Sequence, residues 1–160
     1  MLKFDHNYSI NRLADTKAIA KELVQHILGN KNQGHTIGLI GDLGAGKTTF
    51  VKSIAKCLGI KNNITSPTFV IMKVYDTPKN NINPTKINQF VHIDAYRLST
   101  NNYLNSLGAN EYIKDQNTLT IIEWADKVAD NLPKNTIFAH MSSNNERTII
   151  FSLDHKISKT

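Results

Sequence analysis

Residues 37–49 of the chain read Ile-Gly-Leu-Ile-Gly-Asp-Leu-Gly-Ala-Gly-Lys-Thr-Thr, and this stretch decides the fold. Gly41, Gly46, Lys47 and Thr48 fit the spacing of the phosphate-binding loop, G-x-x-x-x-G-K-S/T. Glycine lets the backbone fold closely around phosphate oxygens, with several N–H groups turned inward. A lysine at this place reaches the β- and γ-phosphates, and the hydroxyl that follows it is a ligand for Mg²⁺. The pattern therefore predicts a site for a nucleoside triphosphate and its metal ion.

The segments on either side of the loop favour this interpretation over an ordinary glycine-rich turn. Thr36–Ile40 is a short apolar run rich in β-branched residues, which is typical of a buried parallel strand. After the loop, apolar residues recur at helical spacing up to Leu58, and Gly59 follows as a helix stop. A helix that begins near Lys47 directs the positive end of its dipole to the same site. The predicted phosphate cradle consists of Gly41, Asp42, Leu43, Gly44, Ala45, Gly46, Lys47, Thr48 and Thr49.

Length and composition narrow the class of protein. A chain of 160 residues is long enough to bury a core without disulfides, and its single cysteine, Cys57, excludes an internal one. No apolar run approaches the roughly 18 residues of a membrane-spanning helix, and the first residues lack the apolar segment of a signal peptide. We therefore expect a single cytoplasmic domain over residues 1–160 without a membrane partner. The net charge of +6 comes from scattered lysines, which is typical of a solvated surface.

The rest of the chain alternates between helical and strand patterns. This favours an α/β, P-loop NTPase-like fold with a mostly parallel central sheet and helices on both faces. Helices are predicted from Asp15 to Leu28, before Gly29, and in a polar region around Asn101–Ile113. The segment Asp76–Asn88 is predicted to be a solvent loop. Strands are predicted at Leu2–Ile10, Thr36–Ile40, Thr68–Tyr75, Phe90–Asp94 and Leu119–Glu123, and a C-terminal β-hairpin pairs Thr136–Met141 with Arg147–Leu153.

Two acidic residues close predicted strands. Asp94 ends Val-His-Ile-Asp, and Glu123 ends Leu-Thr-Ile-Ile-Glu. In open α/β sheets, ligands bind beyond the carboxyl ends of the strands, where the phosphate loop also lies. We therefore expect Asp94 to be a Walker-B-like carboxylate that holds Mg²⁺ directly or through water, and Glu123 to be a second metal ligand. A helix cap or a surface salt bridge is the alternative role for each.

Four further motifs follow the phosphate loop in a recognisable order. They are SPTF at 66–69, HIDAYR at 92–97, LGANEY at 107–112 and IEW at 122–124. Together with the loop, they resemble the TsaE (YjeE) family of small bacterial ATPases, which are required for threonylcarbamoyladenosine formation on transfer RNA. The resemblance extends from about Thr16 to Arg147. No departure from the family pattern falls inside these motifs.

The resemblance implies roles for individual residues. Thr48 and Glu123 match positions associated with Mg²⁺, Asp94 matches the Walker-B-like aspartate, and Thr16 matches a threonine near the nucleotide. It also implies ATP or ADP as the nucleotide and Mg²⁺ as the metal. The implied partner is a TsaB–TsaD pair of proteins, through which the chain would act on tRNA indirectly.

The SPTF motif resembles a switch-like segment that would respond to the γ-phosphate. Pro67 restricts Ser66 to extended conformations, so the segment has few shapes available. The Thr68 hydroxyl is then expected to meet Mg²⁺ or the attacking water, as switch threonines do. A simple lead-in to the next strand is the alternative.

Four other residues are open to more than one interpretation. Trp124, the only tryptophan, either stacks near the nucleotide, anchors a partner or packs in the core. Arg97 is either an arginine finger or half of an ion pair. His92 shares a strand face with Asp94 and reads as a polar neighbour rather than a base. Arg147 matches a recurrent family arginine without an assigned role.

These expectations combine into an ATPase that works as an accessory switch in a tRNA-modifying assembly. Lys47 and the loop amides would stabilise charge on the phosphates, with Asp94 and Glu123 at the catalytic centre, while water attacks the γ-phosphoryl group in line. Because no activating arginine stands out, slow turnover is expected from the isolated protein.

Two other functions share the phosphate loop. A small nucleoside or nucleotide kinase needs a lid with several arginines, whereas Arg12, Arg97 and Arg147 are dispersed and are the only arginines of the chain. The second alternative function is a nucleotide sensor that does not hydrolyse ATP, or a GTPase switch. The chain lacks the guanine-specific N-K-x-D sequence, which argues against GTP.

Overall fold

A mixed sheet of seven strands organises the computed structural model, which describes residues 1–30, 35–79, 87–98 and 103–156. The strands are β1 (Asn7–Ser9), β2 (Thr36–Ile40), β3 (Met72–Asp76), β4 (Gln89–Asp94), β5 (Thr118–Glu123), β6 (Ile137–Ser142) and β7 (Thr148–Ser152). The helices are α1 (Leu13–Gly29), α2 (Lys47–Cys57), α3 (Tyr103–Ser106) and α4 (Ala109–Lys114). Two 3₁₀ turns follow β5, at Ala125–Lys127 and Ala129–Asn131.

The sheet has the order β1-β7-β6-β2-β5-β4-β3. Its four central strands, β6, β2, β5 and β4, run parallel. The outer strands β3, β7 and β1 pair antiparallel, and β6 with β7 forms the predicted C-terminal hairpin. The predicted α/β fold with a mostly parallel centre is therefore confirmed.

Side chains alternate between the two faces of the sheet, and each face has its own apolar cluster. Leu23 of α1, Phe50 of α2 and Phe151 of β7 pack in the cluster on one face. Leu104 of α3 and Ile122 of β5 belong to the other cluster, with α4 and the 3₁₀ turns. Helices thus cover both faces, as the alternating pattern predicted. Within the described part of the chain, no helix has the length and apolarity needed to cross a bilayer.

The structure corrects both predicted boundaries near the N-terminus. The first strand covers only Asn7–Ser9, because Asp5 has a φ of 54° that turns the chain before the strand can begin. Helix α1 begins at Leu13 rather than at Asp15. The Asp15 carboxylate lies in the first turn and accepts the backbone N–H groups of Asn11 and Arg12 at 2.9 and 2.8 Å. It therefore satisfies donors that precede the helix, as an acid at the third helical position can.

The predicted strand Thr68–Tyr75 is wrong in its first half, since β3 begins at Met72. The chain turns after Pro67, whose carbonyl accepts the Val70 N–H at 2.9 Å, and Ile71 has a φ of 67°. A turn and a left-handed residue cannot belong to a straight strand. At its other end β3 extends to Asp76, which pairs with Gln89.

Two predicted segments extend beyond the described residues. Of the predicted loop Asp76–Asn88, residues 80–86 lie outside them, and of the predicted polar helical region Asn101–Ile113, residues 101 and 102 do. The described part of that region is helical, as predicted, and contains the two short helices α3 and α4. Gly108, at a φ of 67°, separates α3 from α4 because a left-handed residue ends a helix.

Gly38 in β2 generates a prediction about the centre of the sheet. A Cβ at this position would lie 2.7 Å from Phe138 Cδ1 and 2.8 Å from Ala125 Cβ, closer than packed carbons approach. We expect Gly38→Ala to lower the free energy of unfolding by about 1–3 kcal/mol through overpacking. Urea denaturation of the purified variants measures this change.

Gly29→Ala is the matched control at the end of α1, where no described atom beyond the chain neighbours and the helix's own backbone lies within 4 Å of the added methyl group. It should be neutral or stabilising by up to about 1 kcal/mol, because alanine favours helices over glycine. Equal unfolding midpoints for the two variants would contradict the close packing around Gly38.

Candidate functional site

The phosphate loop has the strand–loop–helix geometry that its sequence predicts. It connects the end of β2 to α2, which begins at Lys47. Gly41, Gly44 and Gly46 have φ values of 154°, 81° and 98°, a region that L side chains rarely adopt. A Cβ on Gly41 would also lie 2.3 Å from the backbone oxygen of Met141. The glycines are therefore required by the path of the backbone itself.

Lys47 is held inside this loop. Its Nζ donates hydrogen bonds to the carbonyl oxygens of Gly41 and Asp42 at 2.6 and 2.8 Å. The same nitrogen lies 3.7 Å from the centroid of the Trp124 ring. Burial lowers the pKa of Lys47, and the carboxylate of Glu123 acts in the opposite direction. The ammonium group is thus partly withdrawn from water, where its attraction for an anion is stronger than at an open surface.

Thr48 and the two strand-end acids meet at the same end of the sheet. Asp94 and Glu123 are cross-strand neighbours in the parallel pair β4–β5, and both are buried. The Thr48 hydroxyl lies 2.9 Å from Glu123 Oε1 and 3.1 Å from Oε2, to which it can donate. Their burial rules out the surface salt bridge considered for each acid. The structure therefore brings together the three predicted metal ligands.

Asp94 has a second set of partners that the sequence did not predict. Its Oδ2 accepts hydrogen bonds from Thr68 Oγ1 at 2.6 Å and Ser66 Oγ at 3.1 Å. Its Oδ1 accepts the backbone N–H of Tyr96 at 2.9 Å. The acid therefore ties the SPTF segment to the end of β4. This contact joins residues far apart in sequence, so no local pattern reveals it.

The tip of the SPTF segment is exposed. Phe69 is 84% exposed, and the Arg97 guanidinium carbon lies 4.7 Å from its ring centroid. The ion pair considered for Arg97 does not form with any carboxylate in the described part of the chain. Arg97 instead forms a second contact between this segment and the chain that follows Asp94.

These elements surround an open cavity of about 570 Å³. It is lined by the phosphate loop and α2 on one side and by the strand ends and the SPTF segment on the other: Leu43, Gly44, Gly46, Lys47, Thr48, Thr49, Ser66, Thr68, Asp94, Tyr96, Glu123 and Trp124. Mg²⁺ prefers hydroxyl and carboxylate oxygens and usually shares its coordination sphere with substrate phosphates. The Thr48 hydroxyl and the two carboxylates fit that ion, because they offer hard oxygen donors beside a loop suited to phosphate.

Some of the predicted nucleotide residues lie elsewhere. Gly41, Asp42 and Ala45 belong to the loop but do not line the main cavity. Thr16 is buried in the first turns of α1 and borders a separate small cavity of about 40 Å³. That cavity lies against the loop and is lined by Ile10, Thr16, Ala45, Gly46, Thr49, Met141 and Arg147. Thr16 and Arg147, the two ends of the resemblance, are therefore neighbours in space.

Next to the cavity lies a group of aromatic and basic side chains whose contacts the sequence analysis did not predict. The rings of Tyr96 and Trp124 lie 5.0 Å apart, and Lys127 Nζ lies 4.8 Å from the Tyr96 ring centroid. Trp124 adopts a φ of 58°, which starts the 3₁₀ turn that carries Lys127 back over the rings. The spacing of three residues between Trp124 and Lys127 was the available signal. His92 lies two residues before Asp94 on β4 and so shares its strand face, as predicted, and its Nε2 lies 2.8 Å from Glu123 Oε1.

Comparison with known proteins agrees with this geometry. Residues 10–149 match the family described as threonylcarbamoyl adenosine biosynthesis protein TsaE. The tRNA threonylcarbamoyladenosine biosynthesis protein TsaE of Bacillus subtilis is 36% identical over 140 residues, which cover 86% of this chain and 79% of that protein. Its namesake in Rickettsia prowazekii is 37% identical over 120 residues, or 74% of each chain.

The fold agrees as well. The crystal structure of Bacillus subtilis YdiB superimposes with a TM-score of 0.67 and 30% sequence identity, over 93% of this chain and 86% of that one. The match of the family over most of the sequence, together with this shared fold, leads to one conclusion: the chain belongs to the TsaE family of tRNA threonylcarbamoyladenosine biosynthesis proteins.

Proposed function

We propose that this protein binds ATP with Mg²⁺, hydrolyses it and thereby acts as a switch in the threonylcarbamoyladenosine modification of tRNA. The observation that carries the proposal is the convergence of Lys47, Thr48, Asp94 and Glu123 on one cavity at the carboxyl ends of parallel strands. Ligands of open α/β sheets bind at this edge. We place this activity in the cytoplasm, together with the tRNA that it serves.

The phosphate loop would bind the triphosphate. Its glycines leave the backbone open to a close approach, and Lys47 offers a positive charge among the loop carbonyls. On ATP binding, Lys47 Nζ would exchange its contacts with the carbonyls of Gly41 and Asp42 for phosphate oxygens, which carry more negative charge. Groups held in place before the reaction stabilise developing charge without reorganisation.

The acids and Thr48 would serve the metal ion. Thr48 and Glu123 are in contact and would supply oxygen ligands for Mg²⁺, and Asp94 is the neighbouring carboxylate. Bound Mg²⁺ would supply a Lewis acid that neutralises charge on the β- and γ-phosphates. The hydrogen bond from Thr68 to Asp94 keeps the two side chains together beside the cavity. From there they would also hold the attacking water in place. Gly46 and Thr49 border both cavities, and Thr16 borders only the small one. Thr16 would therefore contact the nucleoside part of the nucleotide rather than its phosphates.

The kinase alternative lacks support from the described residues. A kinase lid needs several arginines near the transferred phosphate, but Arg97 packs on Phe69 and Arg12 pairs with Asp15 on the surface. Arg147 borders the small cavity rather than the main one. The remaining alternative, a sensor that binds ATP without hydrolysis, differs from our proposal only in the chemical step.

An assay with γ-labelled ATP, Mg²⁺ and a mixture of nucleosides separates these functions. We expect the label to appear slowly in inorganic phosphate, and Lys47→Ala to reduce the rate by about 10²–10³-fold because it removes a charge from the transition state. Lys52→Ala is the matched control, since Lys52 lies exposed on the same helix. Label in a new phosphate ester would instead indicate a kinase, and bound ATP that is never cleaved would indicate a sensor.

The two acids should give different phenotypes. Removing a direct Mg²⁺ ligand weakens Mg-ATP far more than it weakens metal-free nucleotide, so we expect this result for Glu123→Ala. Asp94→Ala should impair both binding and turnover, because its carboxylate holds the SPTF segment as well as facing the metal donors. Calorimetric titration with and without Mg²⁺, followed by single-turnover hydrolysis, measures both effects.

Asp130→Ala provides a control for the loss of an exposed carboxylate, since Asp130 lies in the second 3₁₀ turn after β5 and does not line the cavity. It should leave nucleotide binding at the wild-type level. If Glu123→Ala and Asp94→Ala kept the wild-type dependence on Mg²⁺, neither carboxylate would serve the ion.

We further propose that a TsaB–TsaD pair recognises the ATP form of the protein and accelerates hydrolysis. A ligand shifts an equilibrium only by its difference in affinity for the two states, so the partner must bind the ATP form more tightly than the ADP form. The SPTF segment can carry this difference, because it joins the proposed γ-phosphate region, at Asp94, to the exposed side chain of Phe69.

Thr68→Ala should narrow the difference in partner affinity between the two nucleotide states and leave ADP affinity nearly unchanged, since ADP lacks the group that Thr68 would sense. Thr65→Ala is the matched control, because the Thr65 hydroxyl accepts a hydrogen bond from Lys73, whereas the hydroxyls that donate to Asp94 are those of Ser66 and Thr68. Titration of the TsaB–TsaD pair with each form, loaded with ADP or a non-hydrolysable ATP analogue, measures the affinities. Equal wild-type affinities for the two forms would refute the switch.

A further inference from the structure

The Glu123 side chain is buried at the end of a central strand, where its orientation must be fixed by contacts. It is 3% exposed, and a carboxylate taken out of water needs hydrogen bonds to remain ionised at low cost. Among the described residues, two side chains lie within hydrogen-bond distance of its carboxylate. One is Thr48, from the first turn of α2, and the other is His92, from β4.

His92 belongs to the central sheet. It is 0% exposed and lies two residues before Asp94 on β4, which is paired in parallel with β5. Its Nε2 lies 2.8 Å from Glu123 Oε1, a distance typical of a strong hydrogen bond. Since both residues sit on neighbouring central strands, this contact does not depend on the conformation of the phosphate loop.

The surroundings of the imidazole indicate which nitrogen carries the proton. Nδ1 of His92 is buried and has no hydrogen-bond partner among the described residues. A proton on Nδ1 would leave a buried donor unsatisfied, whereas a bare Nδ1 lone pair costs less. Nε2 therefore carries the hydrogen and donates it to Glu123 Oε1. The ring is a directed donor of one hydrogen bond to that carboxylate.

From these contacts we infer that His92 is a positioning residue, which holds the Glu123 carboxylate in the orientation that Thr48 and Mg²⁺ require. This inference rests on the proposed function, since it assigns Glu123 to the metal. Hydrogen bonds to the carboxylates of metal sites fix the orientation of the ligand and tune its affinity. His92 supplies this bond from a rigid strand, while Thr48 supplies the opposite contact from the nucleotide loop.

Three substitutions of His92 test the orientation of the bond. Gln places an amide N–H near the position of Nε2, Asn places one near Nδ1, and Leu provides no donor. We expect His92→Leu and His92→Asn to raise, by about 10–100-fold, the Mg²⁺ concentration that gives half of the Mg²⁺-dependent increase in ADP binding. The affinity for ADP without Mg²⁺ should change little. His92→Gln should stay within about threefold of the wild type, because it restores the donor.

Val91→Ala is the matched control for general damage to the strand. Val91 is 0% exposed on the adjacent position of β4 and belongs to the apolar cluster on the other face. It should lower the unfolding temperature and leave the Mg²⁺ dependence unchanged. If His92→Leu fails to fold, the comparison of His92→Gln with His92→Asn still decides the question.

A measurement on the metal-free protein examines the contact itself. Long-range ¹H–¹⁵N spectra should show a proton on Nε2 of His92 and none on Nδ1, and Glu123→Gln should shift the Nε2 resonance. A proton on Nδ1, or a wild-type Mg²⁺ response in both His92→Leu and His92→Asn, would overturn the inference. If the wild-type chain bound no Mg-nucleotide at all, the proposed function would fail, while the tautomer would still report on the His92–Glu123 bond.

Discussion

Parallel pairing of β2 with β5 and of β5 with β4 controls the geometry of the whole cavity. It places the ends of three strands at one edge, where β2 leads into the phosphate loop. The same register sets Asp94 directly beside Glu123. Because side chains alternate with a period of two, a slip of one residue would turn one of these acids to the opposite face. The sheet therefore determines which residues can act together, and the loops only supply the remaining groups.

This arrangement concentrates charge in a buried place. Lys47, Asp94 and Glu123 are all less than 6% exposed, although ionised groups prefer water. Each is compensated by short contacts: Lys47 with loop carbonyls, Asp94 with hydroxyls and a backbone amide, and Glu123 with Thr48 and His92. Each charged group in this network has few hydrogen-bond partners, so the loss of one partner leaves a buried polar group unsatisfied. This is why single substitutions here should alter function more than the exposed controls.

Local sequence patterns were sufficient for the parts of the site that depend on local geometry. The phosphate loop, the start of α2 and the strand-end positions of Asp94 and Glu123 all follow from motif spacing and periodicity. The loose alternation of Thr68–Tyr75 predicts a strand that includes the last two residues of the SPTF segment. In the structure its hydroxyls bind Asp94, a residue more than twenty positions away, and the chain turns instead. Long-range hydrogen bonds of this kind leave no periodic signal in the sequence.

In the proposed function, the contacts of Asp94 would link the SPTF segment to the nucleotide. One carboxylate oxygen is occupied by the backbone of Tyr96, which holds the acid in place on the sheet. The other oxygen receives both hydroxyls of the SPTF segment, from Ser66 and Thr68. In the proposed function, a phosphate or metal ion that competes for either hydroxyl must therefore weaken the bond between the segment and the sheet. Phe69 directly follows Thr68, so that change would reach an exposed aromatic side chain within one residue. The proposed coupling between nucleotide and surface would thus require no rearrangement of the core.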